Sequence, residues 1–218
     1  MERDEMLDNR DAVWRAIDAE RLSLADLFDQ LSDDEWETPS LCEGWRVRDV
    51  AAHLTLAQLG PLPATLALLR AGGNMNRMIR DTAIRQARRP AAQYASLLRG
   101  MAGSRRKAPG ISDLEPLIDV LVHGQDMAIP LGRPRPMPVP AAVAASDRVW
   151  PDLWPFRAER RLAGFRFAAT DCSWSAGQGL LVEGPIAAIL LLLTGRRAGL
   201  PQLSGPGVAR LQAPVTHR

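Results

Sequence analysis

The chain has 218 residues, 46% of them hydrophobic and 24% charged, with 27 basic against 25 acidic side chains for a net charge of +2. That length suits one large domain or two modest ones, and the apolar content supports a packed core over most of it. The near balance of charge argues against a dedicated nucleic-acid binder, which needs a basic excess on one face. Lys107 is the sole lysine among the basic residues. We read that arginine bias as the codon usage of a GC-rich genome, which fits the expectation of a bacterial origin. The two cysteines, Cys42 and Cys172, are too few and too far apart for a disulfide framework, and no CxxC pair is present. Met1 to Glu5 is charged and lacks the apolar centre of a signal peptide. The longest apolar run, Pro185 to Leu193, falls well short of the ~20 residues of a membrane span. The expectation is a cytoplasmic protein with reduced thiols.

Helical spacing of Val13, Ile17, Leu24, Phe28 and Leu31 predicts a long helix over 7–32. The stretch from Asp33 to Gly44, broken by Pro39 and Gly44, reads as a loop. A second helix begins near Val47, with Asp49 in its first turn at the positive end of the dipole, and runs at least to Leu59. Pro61 and Pro63 interrupt it, and helix resumes over 64–69. Gly72-Gly73 is a break. Helices follow over 75–86 and 91–101, and then over 111–129, the last with Ser112 and Glu115 as a capping box. The prolines from Pro130 to Pro140 make a stiff connector, and a helix over roughly 140–150 completes a bundle. Beyond residue 160 the texture changes. Gly164 to Thr170 alternates like a strand, Ser173–Ser175 and Leu180–Glu183 read as two more, and an apolar helix runs from Pro185 to Thr194, ended by Gly195. The fold class is α+β and mainly α: a helical bundle over 1–155 and a small α/β domain over 160–218.

The histidines number three, His53, His123 and His217. Asp119 precedes His123 by four residues on one predicted helix, so the two share a face with Cβ atoms about 5–6 Å apart and suit a common cation. His53, on another helix, offers a third ligand. Two histidines and a carboxylate with an open position describe many catalytic zinc sites. The same residues fit a plainer account. Asp119, His123 and Asp126 lie opposite the stripe of Leu114, Leu117 and Leu121, which is usually a solvated face, and His53 sits beside Val50 and Leu54 like an ordinary core histidine.

Three stretches resemble the mycothiol-dependent maleylpyruvate isomerase family. Leu31 to Leu54 contains its tryptophan, proline, Cys-x-Gly-Trp, Val-Arg-Asp-Val and Ala-His-Leu pattern in order. Asp119 to Arg133 contains its His-x-x-Asp and Pro-Leu-Gly-Arg. Thr170 to Gly177, with Gly195-Arg196 and Leu203 to Gly207, is similar to its C-terminal domain. The resemblance implies a DinB-like four-helix bundle followed by the small α/β domain. It also implies zinc or another divalent metal held by His53, Asp119 and His123, and mycothiol as thiol cofactor. Asp119 departs from the pattern, which has glutamate there. Asp126, one turn past His123, is a candidate to orient that histidine.

The function implied is activation of a thiol for addition to an electrophilic, anionic small molecule, giving cis–trans isomerisation. Mycothiol S-transfer in detoxification and a non-catalytic metal- or ligand-binding role are the alternatives. The expected partners are the small-molecule thiol and its substrate, with no nucleic acid and no membrane, in a monomer or homodimer. Cys42 reads as a packed loop cysteine. Arg85, Arg88, Arg89 and 105–107 read as solvated faces that could hold an anion, and Asn76 and Arg77 as candidates to face a pocket.

Overall fold

A computed structural model describes residues 10–108, 110–151 and 153–213. The charged N-terminus and His217 lie outside them. The chain divides into two compact units, with the division in sequence at Pro136.

The first unit, over 10–135, is helical. Helix α1 (Arg10–Phe28) buries Val13, Trp14, Ile17, Arg21, Leu24 and Phe28, a three–four spacing that makes one continuous stripe. A short helix, α2 (Asp33–Glu37), occupies part of the expected loop. Ser32 Oγ accepts from Glu35 N and the Glu35 carboxylate accepts from Ser32 N, a reciprocal cap. Helices α3 (Val47–Leu54), α4 (Pro61–Arg70), α5 (Met75–Gln86), α6 (Ala92–Arg99) and α7 (Leu114–Ala128) follow. Helix α3 ends at Leu54, shorter than its apolar pattern predicted. At the start of α7, Ser112 Oγ meets Glu115 Oε2 and accepts from Leu114 N, and Asp113 stands at the cap position.

Helices α1, α3, α6 and α7 make the four-helix bundle: α1 packs on α6 and α7, and α3 on α7 and α6, with α5 against the outer side of α3. Their shared core includes Leu24, Phe28, Trp36, Val50, Leu54, Tyr94, Leu98, Val120 and Met127. Trp36 lies with its centroid 5.4 Å from Phe28 and 5.6 Å from Tyr94, the latter edge-on. Each buried aliphatic side chain contributes roughly 1.5–3 kcal/mol, so this cluster dominates the unit's stability.

The second unit runs over 136–213. It opens with α8 (Val139–Val149), which packs against α10 (Ile186–Leu193). The sequence pattern placed that helix at the end of the bundle and the boundary near 155–160. The division instead falls at Pro136, because the small buried residues Ala141, Ala142, Ala144 and Ala145 let α8 seat closely with the apolar α10. After α9 (Ala158–Arg161), strand β1 (Gly164–Ala169) lies at the centre of a three-stranded sheet. It is antiparallel to β2 (Ser175–Gly177) and parallel to β3 (Gly179–Gly184). Strands β2 and β3 flank β1 while only Gln178 separates them. The chain makes that reversal on two glycines, Gly177 at φ +79° and Gly179 at φ +123°. A Cβ on Gly179 would stand 2.1 Å from Gly164 O, so no other residue fits. A 3₁₀ turn (Arg197–Gln202) and α11 (Gly207–Gln212) complete the unit.

Candidate metal centre

The centre lies wholly within the first unit, between α3, α7 and the loop that precedes α3. That loop is drawn back on itself. Val47 N donates to Thr38 O, Ser40 N to Trp45 O and Leu41 N to Asp126 O. At its end the buried Asp49 carboxylate accepts from Arg46 N at 2.9 Å and from the Arg46 guanidinium. These bonds fix the first turn of α3, and hence the direction in which His53 leaves it.

His53 Nε2 and His123 Nε2 each lie 3.3 Å from the same oxygen, Asp119 Oδ1. The two imidazole rings are 5.0 Å apart and nearly perpendicular. One donor atom from each of the three residues lies within 4.8 Å of the others. Two ligands about 2.05 Å from one tetrahedral zinc stand about 3.3–3.4 Å from each other. The carboxylate–imidazole separations therefore match the edges of a zinc tetrahedron. Aspartate, though one methylene shorter than glutamate, reaches both histidines from α7.

Behind His123 the polar chain continues. Its Nδ1–H donates to Asp126 Oδ2 at 2.8 Å, and the Cys42 thiol donates to the same oxygen at 3.1 Å. Asp126 is fully buried. That contact fixes the tautomer, leaving Nε2 of neutral His123 as the atom turned toward Asp119 and His53. Cys42, His123 and Asp126 also form a second close group of possible donors, but in it Nδ1 of His123 is already committed to the carboxylate. The Trp45 ring packs 5.5 Å from the His53 ring on the other side.

Electrostatics follow from this packing. Burial alone would raise the Asp119 carboxyl, but the adjacent His53 and His123 imidazoles hold it far below the usual carboxylate range. Burial works against charge on His123, and its contacts with Asp119, Asp126 and Cys42 overcome that and lift it well above the ordinary imidazole value. Without a cation, the flanking carboxylates thus favour the protonated form of His123, and a divalent metal would compete with that proton. A further positive charge lies close by. Arg21, 1% exposed, donates to Met101 O at 3.0 Å and stacks on Trp14, and Asp119 lies within its electrostatic reach.

All four residues singled out from the sequence, His53, Asp119, His123 and Asp126, thus meet in one place. The expectation of a solvated face on α7 is corrected: Asp126 is buried, and Asp119 and His123 look inward at α3. Cys42, read as a packed loop cysteine, touches the polar chain behind His123. Arg21 was legible in principle, since 14, 17, 21, 24 and 28 form a single buried stripe on α1. The other basic candidates are elsewhere. Arg85 donates to Asp81 O, Arg105 pairs with Asp11 and Lys107 with Asp113, while Asn76 and Arg77 line a separate cleft.

Residues 17–116 match the family model described as the mycothiol maleylpyruvate isomerase N-terminal domain. The match includes His53 and ends just before Asp119 and His123. No curated protein sequence matches this chain. Among solved structures, the chain resembles a mycothiol-dependent maleylpyruvate isomerase, with a TM-score of 0.62 at 13% identity over 95% of each chain. It also resembles a histidine-to-alanine mutant of such an enzyme, with a TM-score of 0.61 at 14% identity over 95% of each chain. The bundle and the small sheet therefore share the fold of those structures, in a chain whose residues 17–116 match the mycothiol maleylpyruvate isomerase N-terminal domain model.

Proposed function

We propose that this protein is a mycothiol-dependent enzyme in which His53, Asp119 and His123 hold a zinc ion and a thiol is activated for addition to an electrophilic, anionic small molecule. The observation that carries the reading is the placement of both Nε2 atoms 3.3 Å from one Asp119 oxygen, with His53 within the residues that match this family's model. When bound, zinc with an open coordination position supplies stabilisation of a thiolate near neutral pH.

The protein's own residues have distinct tasks. Asp119 brings the single negative charge among the three ligands, and the two imidazoles bind in their neutral form. Asp126 holds the Nδ1 proton of His123 and so keeps the ring from rotating. Cys42 occupies the remaining direction at the Asp126 oxygen. The buried Arg21 adds fixed positive charge on the side of α1, which favours an anion at the open position. Trp45 covers the His53 ring and limits water on that side. In this account none of the three ligands serves as a general base.

The direct test is turnover. Full-length protein loaded with zinc should isomerise maleylpyruvate in the presence of mycothiol and leave the thiol concentration unchanged. Stoichiometric consumption of mycothiol by an electrophile, without isomerisation, would reassign the centre to S-transfer. Absence of any thiol-dependent reaction would remove the enzymatic reading.

A further inference from the structure

The hairpin of α4 and α5 is charged unlike the rest of the chain. Residues 61–90 contain six arginines and one acid, whereas the whole protein has a net charge of +2. The remainder is therefore net acidic. Three of these arginines, Arg70, Arg77 and Arg80, line a cleft of about 590 Å³ together with Asn74, Asn76, Asp81 and Ile84. The volume is that of a small-molecule site. Helix α5 turns the small buried Ala83 inward, as does Ala87 at its C-terminal cap, and Arg77, Arg80 and Asp81 outward into the cleft. None of the cleft's residues belongs to the metal centre.

Several guanidiniums of the first unit are committed to carboxylates. Arg10, Arg46, Arg48, Arg99, Arg133 and Arg135 each pair with a carboxylate. Among the described residues, Arg70, Arg77 and Arg80 have no ion pair or side-chain hydrogen bond. Three unpaired, planar, permanently charged donors around one concavity repel one another, and a multiply charged anion relieves that repulsion with charge-assisted bonds. The N-terminus of the 12-residue α5 opens into the same cleft and adds its dipole, with Asn74 capping at Arg77 N. The single carboxylate, Asp81, provides an acceptor for a hydroxyl group beside the cationic cluster.

We propose that this cleft is a second binding site, separate from the metal centre, for a hydroxylated phosphate ester such as a sugar phosphate. A phosphate monoester carries close to two negative charges at neutral pH, which the three arginines and Asp81 together balance. The same chemistry is offered by a phosphoinositide headgroup, and α4 exposes Leu62 and Leu69 (81% and 71%) nearby, so the experiment separates the two sources.

Isothermal titration of the full chain with glucose 6-phosphate at physiological salt should show one saturable site. Arg77→Gln with Arg80→Gln should weaken it at least tenfold. Arg88→Gln with Arg89→Gln, the same charge change outside the cleft, should leave it within twofold. His53→Ala should bind as the parent does. Equal weakening by both arginine pairs, loss of binding in His53→Ala, or the absence of saturable binding to both probes would each overturn the proposal. The second probe is a vesicle containing phosphatidylinositol phosphate. Vesicle binding without sugar-phosphate binding, lost in the Arg77/Arg80 pair and retained in the Arg88/Arg89 pair, would keep the site and assign its ligand to the lipid headgroup.

Discussion

At the scale of single residues, the centre is organised by what each carboxylate does to His123. Asp119 faces one nitrogen and Asp126 the other, and both favour the charged form of the ring in the metal-free protein. The signs are opposite for the two partners. His123, raised, contributes stability that is fully present below the unfolded imidazole value of about 6.5 and is lost as pH rises through its folded value. Asp119, depressed, contributes stability that is present above about pH 3.9 and is lost as pH falls toward its folded value. Both operate together from about pH 4 to 6.5. The Tm of metal-stripped protein should therefore fall as pH is raised from about 6.5 to 9, while metal affinity rises over the same range because the ligand nitrogen must be free of its proton. In Asp126→Ala the Tm slope should flatten and metal affinity should drop by about 10–100-fold. An apo Tm that climbs with pH, or an Asp126→Ala variant with parental affinity, would contradict this arrangement.

Elements explain what the sequence disclosed and what it hid. The period of 3.6 exposed α1, α5, α6 and α7, because their apolar faces are continuous. The i, i+4 pair on α7 was visible for the same reason. What a helical wheel cannot show is which polar face looks into a bundle. The side of α7 with Asp119, His123 and Asp126 is polar and still turned inward, Asp126 buried and the other two half-buried, because α3 and the loop over 38–46 lie against it. Cys42 was opaque for a related reason: its meaning depends on Leu41 N bonding to Asp126 O across 85 residues. The boundary at Pro136 was hidden because an alanine-rich helix such as α8 packs equally well on a bundle or on α10. The short α2 was hidden by its length, although Ser32 and Glu35 form the cap that was instead expected at Ser112 and Glu115. That cap is testable. Ser32→Ala should destabilise the first unit by about 1 kcal/mol, read as a lower urea midpoint at unchanged slope. An unchanged midpoint would show that α2 is held by Trp36 packing alone.

At the scale of the whole molecule, the bundle is a frame that places two histidines from different helices on either side of one carboxylate oxygen. No helix among the described residues is long and apolar enough to cross a membrane, and the most apolar helix, α10, serves as the core of the second unit. The frame needs little sequence to be kept: at 13% identity the fold is shared over 95% of both chains. What identity at that level leaves open is the centre itself, and there the three donors are this chain's own. The central claim is that they bind one metal ion. Elemental analysis of protein purified without a histidine tag measures it most directly. The parent should hold close to one equivalent of zinc per chain, and His53→Ala with His123→Ala nearly none. Equal metal content in the two folded proteins, or none in a parent supplied with zinc, would contradict it.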